Sequence, residues 1–191
     1  ELCKLYSGYS WSDNIIVIDN RFISERVNQL RNWNINFVQG DILDKDLIKS
    51  YCKEADIVHH LAGITKVPRV ESESNDQKDK EIKTVAEQGT QNILDVISNK
   101  CKIIMPSTHV VYEGIDQVKK DILEEDATSP VLSYAQSKDY NEKQLKNSGK
   151  NYVILRLGSV YGYSNDSMRI DIMPNLFSKI ASQNGTLKLF A

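Results

Sequence analysis

Tyr134 and Lys138, four residues apart in SYAQSK, are the pair in this sequence best suited to acid and base chemistry. On a helix, positions i and i+4 share a face. A lysine ammonium beside a phenol stabilises the phenolate and draws its pKa from about 10 toward neutrality, which makes tyrosine a usable proton donor and acceptor. With 9 Tyr in 191 residues, a YxxxK pattern arises about once by chance, so its weight comes from its place, at the start of a helix between the fourth and fifth apolar runs. The fourth run ends in MPSTHVVY, where Thr108 offers a hydroxyl. That hydroxyl either bonds the substrate oxygen that Tyr134 protonates or is a strand-end group satisfied within the fold.

Two carboxylates end earlier runs. Asp19 closes IIVIDN, where a dinucleotide fold uses a carboxylate to accept from the adenosine ribose hydroxyls and to repel a 2′-phosphate, selecting NAD over NADP. Asp19 is equally placed for a turn or a helix cap. Asp41 in VQGDILD has the same two readings, contact with adenine or capping of the next helix. His59 to Gly63, HHLAG, closes the third run with small residues that let a backbone approach a flat or phosphorylated ligand. The paired histidines do not suggest a metal site, because neighbouring strand residues point to opposite faces and no third ligand stands at useful spacing.

The elements that must position these residues alternate. Ile15–Ile18, Ile35–Val38, Ile57–Leu61, Ile103–Met105 and Tyr152–Leu155 are short, rich in β-branched residues and bounded by polar or turn residues, which predicts strands buried on both faces of a parallel sheet. Helices are predicted over 24–33, 46–53, 79–98, 133–147 and 172–181, and the chain opens in what reads as a half-helix over 2–9. Strand and helix in alternation predict an α/β, doubly wound parallel sheet of Rossmann type. The charged stretch from Arg69 to Lys83 reads as a solvated loop leading into a helix, with ligand gating as the other reading. Leu187 to Ala191 reads as the start of an apolar strand, and both ends of the chain look cut.

Composition removes several classes. The chain is 40% hydrophobic and 26% charged, the balance of an ordinary globular protein. Its 24 Lys and Arg against 26 Asp and Glu give a net charge of -2, which offers nothing to nucleic acid or an anionic membrane surface. No run approaches the roughly 18 apolar residues of a membrane helix, and the opening residues are not a secretory signal. Cys3, Cys52 and Cys101 lack CxxC spacing, so no zinc site or disulfide framework is suggested and a reducing, cytoplasmic home is expected.

Taken in order, IIVIDN, VQGDILD, VHHLAG, GTQNIL (89–94), STHVVY, SYAQSK and LRLGSVYG (155–162) resemble the extended short-chain dehydrogenases/reductases, in the NAD-dependent sugar-nucleotide epimerase/dehydratase family. The resemblance covers nearly the whole chain. It implies that Tyr134 is the catalytic acid/base, that Lys138 lowers its pKa and binds the nicotinamide ribose, and that Thr108 positions the sugar hydroxyl. It further implies that Asp19 and Asn20 hold the adenosine ribose, Asp41 and Ile42 the adenine, and that Leu61, Ala62 and Gly63 line the cofactor. NAD is the implied cofactor, a nucleotide-sugar the implied substrate, and a homodimer of the complete protein the implied assembly. The expected division is a partial NAD-binding Rossmann domain over 1–162 and the start of a substrate-binding lobe over 163–191.

The sequence departs from the family pattern in places. The first strand and the Gly-rich turn after it are missing from these residues, as is most of the C-terminal substrate lobe. Without the turn there is no glycine backbone at a helix N-terminus to cradle a pyrophosphate, and without the strand its sheet neighbours lose a central partner. The expectation is a piece of a longer protein that by itself binds NAD poorly. Ala86 stands where the family usually has Asn, and Ser159 replaces another common Asn. Family dehydratases follow the catalytic Thr with an Asp-Glu pair for the elimination of water. Here His109 and Val110 follow, which disfavours dehydration and the analogous decarboxylation and leaves epimerisation, or one-way reduction, as the expected chemistry. A non-catalytic NAD-sensing protein is the alternative from another class. His109 reads as a proton donor or as a structural histidine near the cleft.

Overall fold

The structure is a computed structural model and describes residues 2–64, 75–116, 119–163 and 168–188. Eleven helices and strands follow one another: α1 (Leu2–Tyr6), β1 (Ile16–Asp19), α2 (Ser24–Asn32), β2 (Asn36–Gln39), α3 (Lys45–Cys52), β3 (Ile57–His59), α4 (Asp76–Val96), β4 (Lys102–Thr108), α5 (Ser133–Asn147), β5 (Asn151–Leu157) and α6 (Met173–Ser182). Short 3₁₀ turns cover Ser12–Asn14 and His109–Tyr112. The predicted alternation is present, with boundaries shifted by a few residues. The helix predicted from 79 begins three residues earlier, so Asp76 to Lys78 of the charged stretch also belong to α4, because Asn75 caps it, its side chain accepting from Lys78 N at 2.9 Å. The rest of that stretch, 69–74, lies outside the described residues, as do the last three residues of the predicted C-terminal strand. Leu187 and Lys188 are not in a strand.

The strands form two groups, β1–β2 and β3–β4–β5. β1 and β2 are parallel with Ile16 opposite Asn36, and β3 and β4 are parallel with Ile57 opposite Lys102. This is the α/β Rossmann architecture, broken between β1 and β3. The order 3-2-1-4-5-6 of a doubly wound sheet puts its first strand in that place.

The core lies between β3, β4 and the helices α3, α4 and α5. Ile48, Cys52, Ile93, Leu94, Ile97, Cys101, Ile103, Met105 and Leu145 form it together with Ile42 from the turn after β2. α3 enters with a side-chain cap, Asp44 accepting from Leu47 N at 3.0 Å. Burial on both strand faces is corrected by the structure. β4 is largely buried, but Val153, Leu155 and Leu157 of β5 and Ile57 of β3 are exposed, while Ile154 packs on the core. The apolar run is therefore covered on one face only among the described residues, because the core helices α3, α4 and α5 supply one layer.

The chain divides into two compact units, Glu1–Arg156 and Leu157–Ala191. In the second, Asn175 of α6 accepts from Gly162 N at 3.1 Å and donates to Arg169 O at 2.8 Å, and Arg169 pairs with Asp171 at 2.8 Å.

Candidate active site

The residues singled out in the first unit gather at the carboxyl ends of the strands, the side of an α/β sheet where ligands bind. Asp19 ends β1, Asp41 follows β2, Leu61 to Gly63 follow β3, and Thr108 ends β4.

Tyr134 and Lys138 lie on one face of α5, with Lys138 Nζ 6.0 Å from the Tyr134 ring centroid. Lys138 Nζ also donates to the carbonyl of Pro106 at 3.0 Å, two residues before Thr108. Burial holds the Lys138 ammonium below the ordinary lysine pKa. The start of α5 is fixed from outside the helix. Its N-cap, Leu132, has no capping side chain, and the Glu113 carboxylate instead accepts from Val131 N at 2.9 Å and Leu132 N at 2.7 Å. Ser133 Oγ donates to Asp79 of α4 at 2.7 Å. Thr108 is buried, and its Oγ1 accepts from Val110 N at 3.3 Å, capping the 3₁₀ turn and keeping its own proton to give. His109, the next residue, is exposed.

On the other side, Asp19 and Asp41 are both exposed and each closes a local turn, with Asp19 Oδ1 accepting from Arg21 N at 2.8 Å and Asp41 Oδ1 from Leu43 N at 2.9 Å. The cap of α3 is Asp44, not Asp41. Asn20 Nδ2 donates to Asp41 Oδ2 at 3.5 Å, which brings two of the predicted adenosine residues together. The Ile42 side chain is in the core and lies where a Cβ on Gly89 would meet its Cγ2 at 2.8 Å. Its carbonyl accepts from Asn92 Nδ2 at 3.0 Å. Leu61, Ala62 and Gly63 are exposed, with open space where a Gly63 Cβ would stand.

The two histidines of HHLAG diverge. His59 Nε2 meets Tyr6 Oη of α1 at 3.4 Å, whereas His60 turns to α4, its Nε2 2.8 Å from Thr90 Oγ1. His60 is buried and its Nδ1 has no partner among the described residues. Burial, followed by the nearby positive charge of Lys138, lowers its pKa to about 4, so the ring is neutral at pH 7.

A buried charge cluster not foreseen from the sequence adjoins the Tyr134 face. Glu142 of α5 accepts from Ser107 Oγ at 2.6 Å, from Arg156 Nε at 2.9 Å and from Arg156 Nη2 at 2.6 Å. Burial works against ionisation of Glu142, but hydrogen bonds from Arg156 and Ser107 outweigh it and hold the pKa below the usual carboxylate range. The available signals were a carboxylate four residues after Lys138 on the same helix face and an arginine inside an apolar strand.

The α/β fold, the site residues at its strand ends and the Tyr134–Lys138 pair, with Lys138 bonded to the strand that ends in Thr108, are those of an extended short-chain dehydrogenase/reductase. The chain belongs to the NAD dependent epimerase/dehydratase family, whose model matches residues 2–190. Among solved structures it resembles a UDP-glucuronic acid 4-epimerase from Bacillus cereus, in complex with UDP-glucuronic acid and NAD, at 25% identity and a TM-score of 0.74, covering 99% of this chain and 61% of that one. A dTDP-glucose 4,6-dehydratase double mutant from Streptomyces venezuelae, with NAD bound, matches at 22% identity and a TM-score of 0.70, covering 100% and 59%. A UDP-glucose 4-epimerase from Thermotoga maritima with UDP-glucose matches at 21% and 0.70, covering 92% and 57%. The chain thus spans about three fifths of the length of these proteins.

The cofactor of the family is NAD. The donor set at the strand ends fits it chemically, with exposed carboxylates for ribose hydroxyls, an amide at Asn20, a glycine with open space at position 63 and an ammonium at Lys138. Among the described residues no helix is long and apolar enough to cross a membrane.

Proposed function

We propose that the protein is an NAD-dependent epimerase of a nucleotide-diphosphate sugar, working through a transient keto sugar. The observation that carries this reading is the placement of Tyr134 and Lys138 on one face of α5, with the Lys138 ammonium bonded to Pro106 O just before Thr108. Bound NAD supplies the hydride acceptor and donor. Tyr134 Oη takes the proton of the sugar hydroxyl as that carbon is oxidised, and returns a proton to the same oxygen on reduction. The Lys138 ammonium stabilises the phenolate between these events, and the Thr108 hydroxyl orients the oxygen. Epimerisation requires the keto sugar to turn and be reduced on its other face.

In this reading Asp19 and Asn20 bind the adenosine ribose, Asp41 and Ile42 the adenine, and Leu61 to Gly63 line the cofactor. Ile42 contributes backbone, since its side chain is in the core. Residues 1–162 carry the cofactor part and 163–191 begin the substrate lobe. His109 and Val110, in place of a carboxylate pair, favour epimerisation over dehydration.

The test is turnover by the whole protein of UDP-glucose, UDP-glucuronic acid and dTDP-glucose, with and without Tyr134→Phe. Conversion to the epimer without net NADH is expected, and Tyr134→Phe lowers kcat by about 10² to 10⁴. Retained turnover in that variant overturns the assignment. Accumulation of NADH or a dehydrated product replaces epimerisation with another reaction of the family.

A further inference from the structure

The segment that carries Thr108 is tied to α5 before that residue and to β5 after it. Before it, Pro106 O accepts from Lys138, and Ser107 Oγ donates to Glu142. After it, Tyr112 Oη accepts from Arg156 Nη1, and the same nitrogen donates to Glu124 O at 2.9 Å. Arg156, from β5, grips Glu142 with Nε and Nη2. Glu142 is 1% exposed and lies four residues after Lys138 and eight after Tyr134, on the same helix face. Lys146 reaches its Oε2 at 3.5 Å from the surface.

We propose that Glu142 and Arg156 are a positioning pair for the reaction, holding Thr108 in alignment with Tyr134 and Lys138. Neither residue acts on substrate. The inference rests on the epimerase reading of the site. A buried ion pair adds little to stability that two apolar residues of similar size would not supply. It differs from them in direction, because a forked guanidinium and a carboxylate fix each other's orientation. Successive strand residues project to opposite faces, so anchoring Ser107 also sets how Thr108 leaves the strand. Arg156 then joins three elements at one point, since it touches α5 through Glu142, the 3₁₀ turn through Tyr112 and its own strand.

The test compares the whole protein with Arg156→Lys, the apolar pair Glu142→Met with Arg156→Met, and Tyr134→Phe, measuring kcat, KM and thermal melting with UDP-glucose, UDP-glucuronic acid and dTDP-glucose. The apolar pair removes both charges together, which is the replacement most often tolerated by a fold. It is expected to melt cooperatively and to lose about a hundredfold in kcat with KM within about twofold, the signature of misalignment rather than lost binding. Arg156→Lys keeps one charged hydrogen bond and is expected to fall between it and the parent. A folded apolar pair with kcat within about threefold of the parent overturns the proposal, as does a proportional change in kcat and KM. Failure of the apolar pair to fold also overturns it, by making the ion pair a requirement of folding. If Tyr134→Phe is inactive while the apolar pair is active, only the positioning role falls. If Tyr134→Phe remains active, or the unaltered protein turns over none of the three sugars, the reading of the site falls with it.

Discussion

The two ends of the candidate site are held in opposite ways. Around Thr108, Tyr134 and Lys138, side chains from β4, β5, α4 and α5 are bonded to one another across long stretches of sequence, and Glu142 and Thr90 are almost wholly buried. Around Asp19, Asn20 and Asp41, the carboxylates are exposed and closed mainly on their own turns, two residues away. The first region is specified by tertiary contacts and its geometry fails if one partner goes. The second is specified by local turn chemistry and tolerates change without loss of fold. Proton transfer at hydrogen-bond distance needs the first kind of support, whereas recognition of a ribose needs only acceptors that the ligand can reach.

Three perturbations sharpen or break this contrast. The largest belongs to Glu142. Glu142→Ala leaves the half-buried Arg156 and the buried Ser107 without their carboxylate acceptor and is expected to destabilise the protein by about 3 kcal/mol or more, read by denaturant unfolding. A loss near zero would place the pair with ordinary surface charges and dissolve the contrast.

The next effect is acid sensitivity through His60. Its folded pKa, about 4, lies below the ordinary 6.5, so between these values the unfolded chain binds a proton that the native ring does not. Stability is therefore at its full value above pH 6.5 and falls as the pH drops toward 4, by up to about 3 kcal/mol. Glu142 adds a further loss at lower pH, since its depressed pKa means protonation below the ordinary carboxylate value favours unfolding. Melting curves across pH 7 to 4 check the first window. His60→Gln is expected to flatten that slope, and an unchanged slope would show that another group drives it.

The smallest effect belongs to Asp19. Asp19→Asn removes an exposed charge while keeping a turn acceptor, so stability is expected to change by less than about 0.5 kcal/mol. Cofactor choice is expected to move instead, with discrimination against the 2′-phosphate of NADP reduced in the whole protein. Titration with NAD and NADP reads it, and a large loss of stability with no change in preference would reverse the assignment of the two regions.

Much of this was legible in residue order. β-branched runs and helical periodicity are local signals, so the alternation of five strands with helices, and the location of Asp19, Asp41, Gly63 and Thr108 at strand ends, follow from the sequence. So does the shared face of Tyr134 and Lys138, because it depends only on helical spacing. Which aspartate caps α3 was not legible, since Asp41 and Asp44 both stand just before the helix and only the backbone shows that Asp44 holds Leu47 N while Asp41 closes a turn.

What the tertiary structure decided concerns partners and coverage. Whether an apolar strand is buried on one face or two depends on which layers pack against it, and Val153 and Leu155 are exposed although their run reads as fully buried. Sequence spacing separated the faces of His59 and His60, but only packing determined that His60 meets Thr90 in a dry site and is held neutral. Ser107 and Glu142 are 35 residues apart, and Glu142 and Arg156 are 14 apart. A residue's own type gives its charge and its hydrogen-bonding capacity. Which distant group satisfies them is settled only when the chain closes and water leaves, because a buried charge must then find its counterpart.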